Sequence, residues 1–432
     1  MSKVKNMALA EEGMKELAWA EKNMPILTAI QKRFQKEQPL KGLKISVALH
    51  LEKKTGQLIR TLQMAGAEVC VASCNPLTTD DRVAAALATF EGIEVFAWAG
   101  QTTEEYYQNL NAVLDSAPNL LIDDGADLIT IIHFKRPELL ENVLGASEET
   151  TTGVIRLKAM AKEGQLKFPV INANGAYSKH LFDNRFGTGQ SVLNAIMSIT
   201  NKLIAGKTVV IVGFGWCGRG LAIRARGMGA RTIVVEAGDR LPYAEEGEPS
   251  GWHKALEALY EGFEVMNMDQ AAPIGDLFIT ATGNKNVISI EHMLKMKDGA
   301  MLANAGHFNV EIDLKELTKE TISIKEINPN CDEYQLKNKR HLYILSKGRL
   351  VNLARPAGQG HPLEIMDGSF AIQALAMEYL AKNSKNLEAV VIPVPSVLDD
   401  FVARMALESH DIALNPLTAE QRKYLSGFHE GT

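Results

Sequence analysis

Short apolar runs alternate with stretches of helical spacing along roughly the first 170 residues of this 432-residue chain. Ile45 to Leu49, Ala67 to Ala72, Val95 to Ala99 and Leu120 to Ile122 are such runs, bounded by polar segments, and they predict strands. Most are followed by residues whose apolar positions recur three and four apart, as in Thr55 to Met64 and Glu104 to Leu114, the pattern of a parallel sheet with crossover helices. An N-terminal helix is expected from about Glu11 to Phe34. A second series of strands begins with Thr-Val-Val-Ile-Val at Thr208 and continues through Arg231 to Val235, Leu277 to Thr280 and Ala300 to Asn304. Between the two series, Lys179 to Ser191 precedes a helix expected over Val192 to Leu203, and this is where a hinge is placed. The chain after about Pro393 is helical and then polar.

The pattern therefore predicts an α/β protein: two Rossmann-like, doubly wound parallel-sheet domains with a hinge between them and a small C-terminal helical segment. Its length exceeds the size at which one hydrophobic core stops growing, which independently calls for at least two domains. The expected division is 1–180 with 361–395, then 185–355, and a C-terminal segment at 396–432.

Charge narrows the partners. A formal net charge of -6 gives no broad attraction to phosphate backbones or anionic membranes, so neither nucleic acid nor membrane is expected. The four cysteines, Cys70, Cys74, Cys217 and Cys331, show no paired metal spacing, so no metal and no disulfide framework are expected. The N-terminus carries no secretory apolar core, and no run reaches the length of a membrane span. A reducing, cytoplasmic setting follows.

Gly213-Phe214-Gly215-Trp216-Cys217-Gly218 follows a continuous apolar strand and opens a helix expected over Arg219 to Gly227. Glu236 ends the next strand about twenty residues on. Glycines there let backbone approach a pyrophosphate, and the helix N-terminus offers unpaired N–H groups. A carboxylate at Glu236 suits the ribose hydroxyls of NAD and repels the extra phosphate of NADP. The bland alternative is a tight strand-to-helix turn that holds nothing.

Polar residues also cluster where the first set of strands ends: Leu49-His50-Leu51-Glu52, Asp123-Asp124-Gly125-Ala126-Asp127, Ser147-Glu148-Glu149-Thr150-Thr151-Thr152-Gly153 and Lys179-His180-Leu181-Phe182-Asp183-Asn184. Singly, each reads as a turn or a helix cap. In this order, together with Ala-Gly-His-Phe-Asn-Val-Glu-Ile at 305 to 312 and Gly-Arg-Leu-Val-Asn-Leu at 348 to 353, they resemble the S-adenosylhomocysteine hydrolase family from roughly residue 40 to residue 425.

The resemblance implies NAD-dependent, reversible hydrolysis of S-adenosyl-L-homocysteine to adenosine and homocysteine. The ribose is oxidised transiently at its 3′ carbon, the thiol is eliminated from the 5′ carbon, water adds there and the hydride returns. It implies catalytic roles for His50, Asp124, Lys179, Asp183 and His307, and substrate contacts from Glu52, Lys54, Thr55, Glu149 and His361. NAD contacts are implied for Thr150, Thr151, Thr152, Asn184, Gly213, Gly215, Gly218, Glu236, Thr282, Asn284, Ala305, Gly306 and Asn352. The first domain would bind substrate, the second NAD, and the chain would form a homotetramer. For Lys179 to take the 3′ hydroxyl proton, burial is expected to pull its pKa well below the usual lysine value.

Several positions depart from the common family pattern. Glu52 and Lys54 stand where a Thr and a Glu usually lie near the purine, as in a short-chain subgroup with this His-Leu-Glu motif. An ammonium there suits an oxygen at purine position 6, so S-inosylhomocysteine is an alternative substrate. The loop through Ala354 to Gly360 is about two residues longer than usual, Asn174-Gly175-Ala176 removes one carboxylate, and the acidic insert Ala237 to Trp252 replaces a short turn. The chain stops near Phe428 without the usual basic, tyrosine-containing tail. Two other readings stay open: a nucleoside 3′-dehydrogenase that releases its ketone, and a binding homologue without turnover.

Overall fold

The computed structural model describes residues 1–428 except 243 and 245–247. Part of the acidic insert and the last four residues of the C-terminal segment therefore lie outside the described residues. Seven strands come first: β1 (Lys3–Val4), β2 (Lys44–Leu49), β3 (Glu68–Ser73), β4 (Ile93–Ala97), β5 (Leu120–Asp123), β6 (Gly145–Glu148) and β7 (Val170–Asn172). Eight follow: β8 (Thr208–Val212), β9 (Arg231–Val235), β10 (Glu264–Val265), β11 (Leu277–Thr280), β12 (Ala300–Asn304), β13 (Thr321–Asn328), β14 (Cys331–Leu336) and β15 (His341–Leu345). The last, β16 (Val391–Pro393), returns to the first sheet.

The first sheet has the order β1-β4-β3-β2-β5-β6-β7-β16 and the second β10-β9-β8-β11-β12-β15-β14-β13. Every pairing in the first is parallel, with β2 against both β3 and β5. Strand order reverses direction at β2/β5 in one sheet and at β8/β11 in the other. Crevices at such points, beyond the strands' carboxyl ends, are where open α/β sheets hold ligands.

Both sheets are the expected α/β, parallel-dominated kind, with three local differences. The expected N-terminal helix is two, Ala10–Asn23 and Pro25–Glu37, because Met24 precedes a proline and leaves the helical region at φ -127, ψ 69. The hinge segment is helical: a π-turn at Asp183–Gly187 runs into the helix Thr188–Thr200. The second sheet ends in antiparallel strands, β13 against β14 and β14 against β15. Polar residues punctuate β13 and β14, so apolar runs do not reveal those two.

The helix Leu363–Asn383 is buried on most of its surface, and Met366, Phe370, Ile372, Leu375 and Leu380 pack in one core with Ile45, Val47 and Ile122 of the first sheet. Each such side chain contributes about 1.5–3 kcal/mol by leaving water. That burial ties a segment late in sequence to the first lobe. The helix Ser396–Glu408 joins it there, with Asp399 accepting from the backbone N–H groups of Tyr177 and Ser178. Among the described residues no helix is long and apolar enough to cross a membrane.

Candidate active site

The two reversal points face each other across a cavity of about 1250 Å³ lined from both sheets. That exceeds the few hundred to about 1000 Å³ of a typical single-ligand pocket, leaving room for a cofactor and a substrate side by side.

From the first lobe, β2 delivers His50 and β5 delivers Asp124. His50 Nε2 lies 3.3 Å from Asp124 Oδ2, and His307 Nδ1, carried on the turn after β12, lies 3.4 Å from Asp124 Oδ1. His50 Nδ1 pairs with the Thr78 hydroxyl at 2.9 Å. The thiol of Cys74 donates to Asp124 Oδ2 at 3.3 Å. Burial lowers the His50 pKa to about 4, against opposition from Asp124, so its imidazole is neutral near pH 7.

A second cluster surrounds Lys179. Its ammonium donates to the side-chain oxygens of Asn184 at 2.9 Å and Asn174 at 3.1 Å, and lies 3.4 Å from Glu149 and 3.6 Å from Asp183. Asp183 also meets His361 Nδ1 at 2.9 Å. The expectation that burial would depress Lys179 is overturned. Burial does oppose the charge, but the carboxylates of Asp183 and Glu149 outweigh it and hold Lys179 above the ordinary lysine value. Burial raises Glu149 to about 7 although Lys179 pulls it down. Burial would raise Asp183 as well, yet Lys179 and His361 hold it below the usual carboxylate range.

Near the loop that returns from the second lobe, Lys54 is buried with Glu52, its Nζ 2.9 Å from Glu52 Oε2 and donating to the Gln359 carbonyl at 2.8 Å. Thr55 lines the same cavity, but its hydroxyl is committed to the His50 carbonyl at 2.6 Å. Asn174, noted above only as the neighbour of the position that lacks a carboxylate, bridges Lys179, Asn184 and Thr151.

On the second lobe, Gly213 adopts φ +98, where a β-carbon would press on the Ala281 carbonyl at 2.9 Å. A β-carbon at Gly218 would run into the Gly213 carbonyl, whereas Gly215 faces open space. Gly215 is the N-cap of the helix Trp216–Gly227, whose first turn has no side-chain cap and whose Trp216 and Cys217 line the cavity. The Glu236 carboxylate accepts from the backbone N–H of Phe214 at 2.6 Å and of Ala237 at 2.9 Å, so it braces the glycine turn as well as facing the cavity. Thr150, Thr151, Thr152, Thr282, Asn284, Ala305, Gly306 and Asn352 line the same cavity. Asn352 donates to Ser191 at 3.1 Å, but its Oδ1 is buried without a partner, an acceptor waiting for a donor such as a carboxamide. These residues fit a dinucleotide. Of the insert, Leu241, Ala244, Glu248 and Pro249 reach the cavity wall beside Glu236.

All the residues singled out from the sequence thus gather at one cavity or form its immediate framework, as Gly218 does. Sequence reasoning missed others. Cys74 and Thr78 belong to the polar segment after β3, and the strand-end criterion that selected His50 and Asp124 would have found them. Glu311 accepts from Thr282 N, Thr282 Oγ1 and Gly283 N and shapes the loop after β11. Glu148 accepts from Gly125, Ala126 and Thr150 and joins the Asp124 loop to the threonine run.

Comparison with known proteins agrees with this arrangement. The family description S-adenosyl-L-homocysteine hydrolase matches residues 1–138, and S-adenosyl-L-homocysteine hydrolase, NAD binding domain, matches residues 184–358. The chain is 53% identical over 432 residues to the S-inosyl-L-homocysteine hydrolase of Methanocaldococcus jannaschii, covering 100% of both. It is 52% identical over 429 residues to the adenosylhomocysteinase of Aquifex aeolicus, 99% of each, and 52% identical over 431 residues to that of Saccharolobus solfataricus, 100% of this chain and 99% of that one. With a glycine turn and a charged strand-end cluster facing each other as two family domains, and with likeness running end to end, the chain belongs to the S-adenosyl-L-homocysteine hydrolase family.

Proposed function

We propose that this protein hydrolyses S-adenosyl-L-homocysteine, reversibly, to adenosine and homocysteine. The observation that carries the reading is that the Lys179 cluster and the Asp124 cluster open on the same cavity, opposite the glycine turn. NAD is the cofactor, and when bound it supplies a reversible hydride acceptor for the 3′ carbon of the ribose.

Lys179 receives the 3′ hydroxyl proton. As an ammonium it must first release one, and Glu149, 3.4 Å away, is the nearest group placed to take it; burial narrows the gap in proton affinity by raising Glu149 to about 7, and the transfer is an uphill step within the pair. Asp183, braced by His361, orients the ribose hydroxyls. Once the 3′ carbon is a ketone, the neighbouring 4′ proton is acidic and Asp124 removes it. His50, a neutral imidazole, and His307, on either side of Asp124, serve the departing thiol and the water that replaces it. A dehydrogenase that releases its ketone would have no use for this second cluster.

The residue ranges 1–180 with 361–395 act as the substrate-binding domain, 185–355 as the NAD-binding domain, and 396–432 as a small C-terminal segment. The protein works in the cytoplasm as a homotetramer. A second reading, hypoxanthine in place of adenine, is favoured by the buried Lys54 ammonium. Glu52 beside it suits an amino group or a ring N–H, so the pair offers a partner to either purine edge. Incubation with the adenosyl and inosyl thioethers in parallel, measuring free thiol, decides both points: no thiol from either would end the proposal, and release from the inosyl compound alone would exchange the two readings.

A further inference from the structure

Two carboxylates flank Lys179, and both are held from one helix. On the helix Leu363–Asn383, the Ser369 hydroxyl donates to Asp183 Oδ2 at 2.9 Å and the Gln373 amide donates to Glu149 Oε2 at 2.6 Å. The two residues are four apart, so they stand one turn above the other on a single face. Neither exposes any surface to solvent. The Ser147 hydroxyl donates to Gln373 Oε1, which fixes the amide so that its NH₂ must point at Glu149.

We propose that Ser369 and Gln373 are positioning residues that set the pH range over which the Lys179–Glu149 pair moves the substrate's 3′ proton. The inference rests on the function proposed above. Each donor stabilises the charged form of its carboxylate. Without Gln373, Glu149 holds its proton to higher pH and is no longer free to relieve Lys179. Without Ser369, the Asp183 charge has one donor fewer and falls more fully on its neighbours, so Lys179 keeps its proton more tightly and Glu149 holds one to higher pH. Both losses act in the same direction. The other groups facing the pair are Asp124 from β5, His361 on the returning loop and Cys217 from the second lobe. None of them contacts Ser369 or Gln373 in the hydrogen bonds described, so the two donors act on separate carboxylates.

The experiment uses the full-length, NAD-loaded protein mixed with substrate and follows the first turnover of nicotinamide reduction as a function of pH, with Ser369→Ala, Ser369→Thr, Gln373→Met and wild type. A hydrogen bond to a charged group converts to a shift on the order of one pH unit. The rising limb is expected to move up by about that amount in Ser369→Ala and Gln373→Met, and to return in Ser369→Thr, which restores the hydroxyl. Slower reduction with superimposable pH profiles would overturn the proposal, because mere loss of packing lowers the rate without moving the limb. If Gln373→Met does not fold, the two Ser369 variants alone separate the same two outcomes. Absence of nicotinamide reduction in the wild type would instead remove the function on which the inference rests.

Discussion

The two walls of the cavity are built differently. On the first wall, titratable side chains face one another: Lys179 with Glu149 and Asp183, Asp183 with His361, and Asp124 with His50 and with His307, which the second lobe contributes. On the second, the carboxylates face backbone: Glu236 braces Phe214 and Ala237, and Glu311 gathers Thr282 and Gly283. Burial carries His50 and Glu149 away from their ordinary proton affinities against the pull of Asp124 and Lys179, whereas at Lys179 the paired carboxylates win over burial. Carboxylates satisfied by N–H groups fix loop shape instead. One wall is arranged for proton movement and the other for holding a ligand, and substitutions on the two sides should fail in different ways.

The largest effect belongs to the first wall. Lys179→Ala is expected to slow nicotinamide reduction by substrate by roughly 10³-fold or more, near the upper range for a proton-transfer group. Stopped-flow absorbance measures it, and rapid reduction in the variant would take lysine out of that role. In the wild type the same step is expected to fall away as the pH drops through about 7, because protonated Glu149 no longer accepts a proton from Lys179. A rate independent of pH there would break the link between the two residues.

Asp124→Asn comes next. Thiol release should drop by about 10²-fold to 10³-fold while nicotinamide reduction continues, since the variant still presents Lys179 to the 3′ hydroxyl. Equal loss of both signals would mean that Asp124 holds the lobe together and does not act on the 4′ proton.

Legibility in the sequence follows the same divide. The glycine turn, Glu236 and the strands β8, β9, β11 and β12 are local features, and spacing alone located them within a residue or so. The first wall's residues were visible as polar groups at strand ends, but not their pairings. Glu149 finds Gln373 and Asp183 finds Ser369 across more than 180 residues of chain, and no local pattern announces such contacts. The sign of the Lys179 shift was missed for that reason: burial can be guessed from sequence, whereas two carboxylates placed within 4 Å cannot. Likewise β13 and β14 escaped because apolar residues alternate with polar ones along them, and β15, whose apolar run Leu342 to Leu345 is only four residues long, was passed over.

On the second wall, Glu236→Ala should weaken NAD binding by about tenfold to a hundredfold, the cost of losing hydrogen bonds to a charged group. Titration calorimetry reads it directly. Turnover at saturating NAD should stay near the wild-type level, which is the opposite of the outcome at Lys179. Unchanged affinity would show that the carboxylate only braces the glycine turn.

The smallest expected effect tests a residue that touches both walls. Lys54 lies on the first lobe, yet its ammonium holds the Gln359 carbonyl of the loop returning from the second, beside Glu52. Lys54→Met keeps much of the buried stem and removes the charge. Its loop-holding role concerns every substrate alike, so losing it lowers all rates together. Its recognition role concerns the purine edge alone: without the ammonium, an oxygen at position 6 loses its donor, while an amino group still has Glu52. The ratio of kcat/KM for adenosyl over inosyl thioether should therefore rise about tenfold, the discrimination of one hydrogen bond. Because the common loss cancels in a ratio, an unchanged value would assign Lys54 to the loop and leave base choice to other residues.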